Sequence, residues 1–458
     1  QPPLYPATLA AISVISSLDP LDCAVFLNAI LYALFVWLVG RLLSVLFEPS
    51  RVSLLLLMTV ALSLAYPVVS VMLYLGSEAL FMVLLVWFLL AASNYAVQPS
   101  RTALLFMLIA AMVAGLARYA GLSLALAGTF VILMSLRDGS VRRPVVKGVA
   151  FALAAVVPLS IFIARNYVVH RTFTGTRGES VFTFSQNLRS LMDTLFSWAL
   201  PVGLAGSRPV FILLGIGIAF ALFYPVFEKL HGGKLLSGSP VAQMTCLRFM
   251  PVFVFGVVYS VFILLSATFS NMDGLGGRLL VPLFIPFGVL AIGAVRSLVQ
   301  VISRMAPPRL YTVFTAMGLL AVMIPQVAAS YEVLQRFLDR RMTFLSEAWT
   351  NSPTLAALRE RWKGEEVFSN QPEAVYIITG IEARPIPSKT LYNSTTPATS
   401  VTELVGAWPP HNRALIVWFD VYLKSRGFYT PDEIARFTHE LSNLDLPDGK
   451  LMEVQRLE

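Results

Sequence analysis

Four stretches of this chain place ionisable side chains where an apolar run begins or ends, and their residue types suit one chemistry. Ser77-Glu78 opens an apolar run just after Tyr74 and Gly76, and Arg118-Tyr119 separates two runs with almost no loop around it. Arg165-Asn166-Tyr167 closes another run and leads into Arg171, Gly175, Arg177, Gly178 and Glu179. Arg278 follows Asn271, Asp273 and Gly274-Leu275-Gly276-Gly277, small residues that let backbone approach a ligand closely. Arginine presents forked donors that match phosphate oxygens. One carboxylate and three arginine-bearing ends brought to one face would hold a phosphate at a membrane surface.

Each of these residues also has an ordinary structural reading. Glu78 can complement a helix N-terminus, which attracts negative charge. Arg118 and Arg165 can anchor at lipid headgroups by snorkelling, and Arg278 can pair with Asp273 or do the same. Asp19 and Asp22 read as an N-cap and a first-turn acid around Pro20. His170 is a single histidine in a polar loop, so the surface is its expected place.

The elements that must position these groups are membrane helices. Apolar runs cover about 22–46, 52–66, 78–97, 103–117, 120–136, 148–164, 208–227, 249–267, 279–295 and 311–330. Roughly 20 apolar residues cross a bilayer, and only helices or closed barrels satisfy their backbone there. The first 330 residues carry 20 Lys and Arg and 9 Asp and Glu, against 14 and 17 in the 128 that follow. The chain therefore reads as an α-helical polytopic body of about ten spans over 1–330, with a separate α/β domain over 331–458. The middles of the spans hold no ionisable side chain, which disfavours a proton relay or ion pathway.

Lys and Arg collect on cytoplasmic loops. Alternate connections hold Arg41, Arg51, Arg101, Arg137, Arg142, Arg143, Lys147, Lys229, Lys234, Arg248, Arg296, Arg304 and Arg309 against only Glu48, Asp138 and Glu228. The four chemical stretches and the C-terminal domain fall on the opposite, extracytoplasmic side of the membrane. The net charge of +8 is then a topology signal, with no nucleic-acid partner implied. Cys23 and Cys246 lie in membrane segments of opposite halves, so no disulfide framework is expected. Gln1-Pro2-Pro3-Leu4-Tyr5-Pro6 opens in an external loop, which implies an earlier transmembrane helix upstream of Gln1. Residues 7–18 read as a helix lying at the outer interface.

Pro-Pro-Leu-Tyr-Pro before that helix, Ser77-Glu78, Gly115-Leu116-Ala117-Arg118-Tyr119-Ala120-Gly121, Arg165-Asn166-Tyr167 with a downstream Gly-x-Arg, and Gly277-Arg278 followed by Pro282 and Pro286 form an ordered series. In that order they resemble the GT-C glycosyltransferases, in the branch of aminoarabinose transferases and protein O-mannosyltransferases. The resemblance implies an enzyme that takes a sugar from a polyprenyl phosphate and passes it to a hydroxyl of a lipid, glycan or protein acceptor outside the membrane. It makes Glu78 a second acid near the acceptor or a divalent metal, and Arg118, Arg165 and Arg278 phosphate ligands. Asn166 and Arg177 become further substrate-binding residues, and Tyr5 and Tyr119 line the sugar or lipid path. The family's main acid lies in a segment before Pro2, so it is expected upstream of Gln1, and Gln1 stands where related enzymes often carry a base.

In the tail, helices are predicted over 331–349, 352–362, 372–379 and from Thr430-Pro431-Asp432-Glu433 to about Leu441. Strands are predicted at 366–370, 413–420 and 448–454, and alternation of the two argues an α/β domain. Asn393-Ser394-Thr395 matches a glycosylation sequon. A lipid-linked-sugar flippase or a non-catalytic membrane subunit are the alternatives to an enzyme.

Overall fold

The structure is a computed structural model that describes residues 2–48, 52–135, 142–175, 177–199, 240–272, 274–303, 308–339, 346–391, 394, 396–420 and 427–457. It divides into two compact units, the first comprising 1–175, 188–265 and 275–334, the second 176–187, 266–274 and 335–458.

The first unit is helical. Helices α1 (Leu4–Ser16), α2 (Pro20–Phe47), α3 (Val52–Ser63), α4 (Tyr66–Leu73), α5 (Glu78–Val97), α6 (Arg101–Ala117) and α7 (Leu122–Met134) follow one another closely. They are succeeded by α8 (Arg142–His170), α9 (Phe184–Ala199), α10 (Pro240–Phe269), α11 (Gly277–Ser303) and α12 (Pro308–Leu338). Asp19 caps α2 by accepting from Leu21 N with Pro20 at the first position, as its spacing predicts. Among the described residues four helices are long and apolar enough to cross a membrane: Pro20–Phe47, Glu78–Val97, Arg142–His170 and Leu247–Phe269. The bent pair of α3 and α4 makes five if counted as one span. The 208–227 run lies outside the described residues. At 13 residues α7 is about 20 Å long, well short of a ~30 Å hydrocarbon core.

The expected single helix over 52–66 is instead this pair, bent by 58° and extended to Leu73. Pro67 lies in the first turn of α4 and cannot continue the preceding helix's hydrogen bonding. The carbonyls released at the break find partners: Tyr32 Oη donates to Ser63 O at 2.9 Å, and Ser330 Oγ to Leu64 O at 2.7 Å. Helix α9, whose sequence lacks a long apolar run, was not anticipated. Trp198 near its end is buried edge-on to Phe284 at 5.4 Å.

The second unit holds a five-stranded sheet made of β1 (Glu366–Ser369), β2 (Ala383–Pro385), β3 (Arg413–Phe419), β4 (Thr438–Leu446) and β5 (Gly449–Arg456), in the order β2-β1-β3-β5-β4. The first three are parallel, and β5 and β4 continue antiparallel. Central β3 is buried on both faces, which its unbroken Ala-Leu-Ile-Val-Trp-Phe run requires. Ile416 and Trp418 pack with Phe368, Trp408 and Phe437 on one side, while Leu415, Val417 and Phe419 pack with Trp349, Leu358 and Val375 on the other. The Thr430–Glu433 capping box forms, but its helix ends at Ile434 where the sequence predicts Leu441. Thr438 onward pairs with β5 through the turn at Pro447-Asp448-Gly449, and that ladder outweighs local helix signals. This unit also recruits chain from between the helices: Gly178 N donates to Asn271 Oδ1, Asn271 N returns to Gly178 O, and Glu179 N reaches Thr396 Oγ1. Asn393 and Thr395 of the sequon lie outside the described residues.

Candidate functional site

The site begins with the break between α4 and α5. After α4 ends, Tyr74-Leu75-Gly76-Ser77 turns the chain into α5, and Asn28 of α2 holds that turn in place. Asn28, 4% exposed, donates from Nδ2 to Met72 O at 3.1 Å and to Tyr74 O at 3.0 Å. Its Oδ1 accepts from Tyr5 Oη at 3.0 Å, so α1 is tied to the same turn. Burial first, and the negative charge of Glu78 second, push the Tyr5 phenol up to about 12. It therefore acts as a neutral donor.

Glu78 heads α5 and is 7% exposed. A carboxylate so buried needs partners. Two arginines supply them, with Arg118 Nη1 at 2.5 Å and Arg278 Nε at 3.1 Å, both on Oε1. Arg118 is extended between α6 and the 3-10 turn Tyr119–Gly121, with its N–H donating to Ala114 O. Gly121 makes that turn possible, since a Cβ there would overlap backbone of Ala114 and Gly115. Gly76 has a similar role, because a Cβ on it would overlap Glu78 Oε2. Arg278 enters from the start of α11, its guanidinium 4.9 Å above the Tyr74 ring. Buried Tyr259 donates to Leu279 O at 2.7 Å, fixing the helix turn that carries Arg278.

Glu78 is thus more than a complement to a helix N-terminus, and Arg118 is an ion-pair partner, 19% exposed, where a headgroup anchor would be open. Arg278 pairs with Glu78; Asp273, its alternative partner in the sequence, lies outside the described residues. Two cations around one carboxylate leave a positive centre that suits an anion. Among the described residues no group of three or more His, Cys, Asp or Glu side chains gathers to hold a metal. A guanidinium-enclosed Glu78 is a poor ligand set for a divalent cation.

The remaining sequence candidates separate into two places. Tyr119, Arg165 and Asn166 line a cavity of about 680 Å³ in the first unit. Pro2, Pro3, Pro6, Ala7 and Ala10 of the α1 region line it with apolar atoms, and Phe162, Arg165, Asn166 and His170 of α8 line it as well. His170, expected only as a surface residue, is exposed and contributes to this lining. Arg177 belongs to the second unit, where its Nη1 lies 3.4 Å from Ser270 Oγ.

No protein-family model and no curated protein matches the chain. Six chains of solved structures do. One is ArnT from Cupriavidus metallidurans in the apo state, with 13% identity, 99% of this chain and 87% of that chain covered, and a TM-score of 0.49.

Sequence inspection did not single out Asn28, the one asparagine within the 22–46 run. A polar amide in an otherwise apolar span was the available signal, because such a group must find partners there. Gly76 and Gly121 stood in the motifs, though only the packing reveals what each accommodates.

Proposed function

We propose that this protein is a membrane glycosyltransferase that passes a sugar from a polyprenyl-phosphate donor to an acceptor hydroxyl on the extracytoplasmic face. The convergence of Arg118 and Arg278 on buried Glu78, from three separate elements, is the observation that carries this reading. Two preorganised guanidiniums bind the donor phosphate and stabilise the charge that grows on it as the glycosyl–oxygen bond breaks. The acceptor hydroxyl gives its proton to a carboxylate as it attacks. Glu78 is the acid of the phosphate centre. The α1–α8 cavity, with Tyr119, Arg165 and Asn166, has room for a sugar or a headgroup.

In this reading the body over 1–330 makes about ten crossings, and 331–458 forms the extracytoplasmic domain. The resemblance noted in the motif series supports the donor class, and the charge bias of the loops supports the orientation. The test is transfer of labelled sugar from polyprenyl-phosphate donors by the protein, compared with Arg118→Ala and Arg278→Ala. Loss of transfer in both folded variants is expected, and normal transfer in either would remove that arginine from the site.

A further inference from the structure

Glu78 also bears on which phosphate the centre retains. Two guanidiniums and one carboxylate meet at a single oxygen, with Arg118 and Glu78 largely buried. Among the described residues the other side chains grouped with them, Tyr5, Asn28, Tyr74 and Tyr259, are neutral, so these side chains together sum to one positive charge. Arg278 approaches Glu78 with Nε 3.1 Å from Oε1 and its side chain is 45% exposed, so a ligand can reach the guanidinium with the pair intact.

In the proposed reaction the phosphate changes charge. The donor is a phosphodiester with one negative charge. The acceptor oxygen–carbon bond forms as the carbon–oxygen bond to phosphate breaks; the electron pair goes to phosphate and the hydroxyl proton to the base. The product is a monoester carrying about 1.5 to 2 negative charges near neutral pH. A carboxylate fixed among the arginines repels each phosphate charge separately, in a partly buried place where screening is weak.

We propose that Glu78 is a charge selector, matching the arginine pair to the singly charged donor and weakening its hold on the doubly charged product. This rests on Arg118 and Arg278 being phosphate ligands. Because the repulsion acts on each charge, removing it strengthens monoester binding more than diester binding. A Glu78 that only braces the arginines would give the opposite sign, since its loss would loosen both ligands.

The test measures equilibrium binding of farnesyl phosphate, its methyl diester and farnesol to the full chain in phosphatidylcholine nanodiscs. The wild type is expected to bind the two phosphates within about threefold of each other, and both at least about tenfold tighter than farnesol. Glu78→Gln, which keeps the shape and removes the charge, is expected to tighten the monoester about tenfold or more and the diester markedly less. Equal tightening of both, or weakening of both, overturns the proposal. If Glu78→Gln does not fold, the wild type decides, since a preference for the monoester above about tenfold overturns it as well. Phosphates that bind no better than farnesol would instead overturn the phosphate reading itself, and the two failures are distinct.

Discussion

Removing the Asn28 side chain should loosen the turn that carries Glu78. Asn28 makes three hydrogen bonds of 3.0 to 3.1 Å from a 4% exposed position. Asn28→Ala strands the buried Tyr5 hydroxyl and removes a donor from the carbonyls of Met72 and Tyr74. The Tyr74 carbonyl keeps Gly76 N at 2.8 Å, so two groups are left in want of a partner. An orphaned buried polar group costs about 1–3 kcal/mol, which puts the whole effect of two at about 2–6 kcal/mol. Tyr5→Phe leaves only the Asn28 oxygen short and should cost about 1 kcal/mol. The two act through one bond, so the double variant should be less damaging than the sum, with a coupling of about 0.5–3 kcal/mol. Denaturant unfolding of the detergent-solubilised chain gives the energies, and hydrogen exchange at 74–78 reports the turn directly. Asn28→Ala unfolding within about 0.5 kcal/mol of wild type, with unchanged exchange, would refute the chain of bonding from Tyr5 to Tyr74.

Gly76→Ala should push Glu78 off its arginines and reduce activity at least about tenfold, about 1.4 kcal/mol, in a protein that remains folded. Gly121→Ala forces the 3-10 turn away from Ala114 and Gly115 and should destabilise by about 1–3 kcal/mol, read from thermal unfolding. In the second unit the Lys389 hydrogen bond, helped by Thr430 N, holds the Glu433 carboxyl below its usual range. That stability is present above the unfolded carboxylate value and fades as pH falls through the lower folded one. The pair is partly exposed, so its worth is at most about 1 kcal/mol, and Lys389→Met should flatten the acid limb of the stability profile by that amount.

The positions of most helices were legible because a long apolar run, as at Glu78–Val97, or a cap, as at Asp19-Pro20, leaves few alternatives. The break after Ser63 was not, since its viability depends on Tyr32 and Ser330, which are distant in sequence. Strand β4 was hidden for a similar reason: Thr438–Leu446 gains its stability from β5, and a capping box just upstream argued locally for helix. At the candidate site, the residue types and the shared end of the bundle could be read from the sequence. Which arginines meet Glu78 could not, because that depends on packing: Arg118 and Arg278 reach it, whereas Arg165 lines the cavity beside α1.

The most direct test of the central claim is sugar transfer by the protein, supplied with labelled polyprenyl-phosphate sugars in native lipid and compared with its Arg278→Ala variant. If the guanidinium pair holds the donor phosphate, the wild type releases labelled sugar to an acceptor. Arg278→Ala should then lose about 2–5 kcal/mol of transition-state stabilisation, at least about thirtyfold in rate, while folding normally. A folded Arg278→Ala protein that transfers as fast as the wild type would contradict the account.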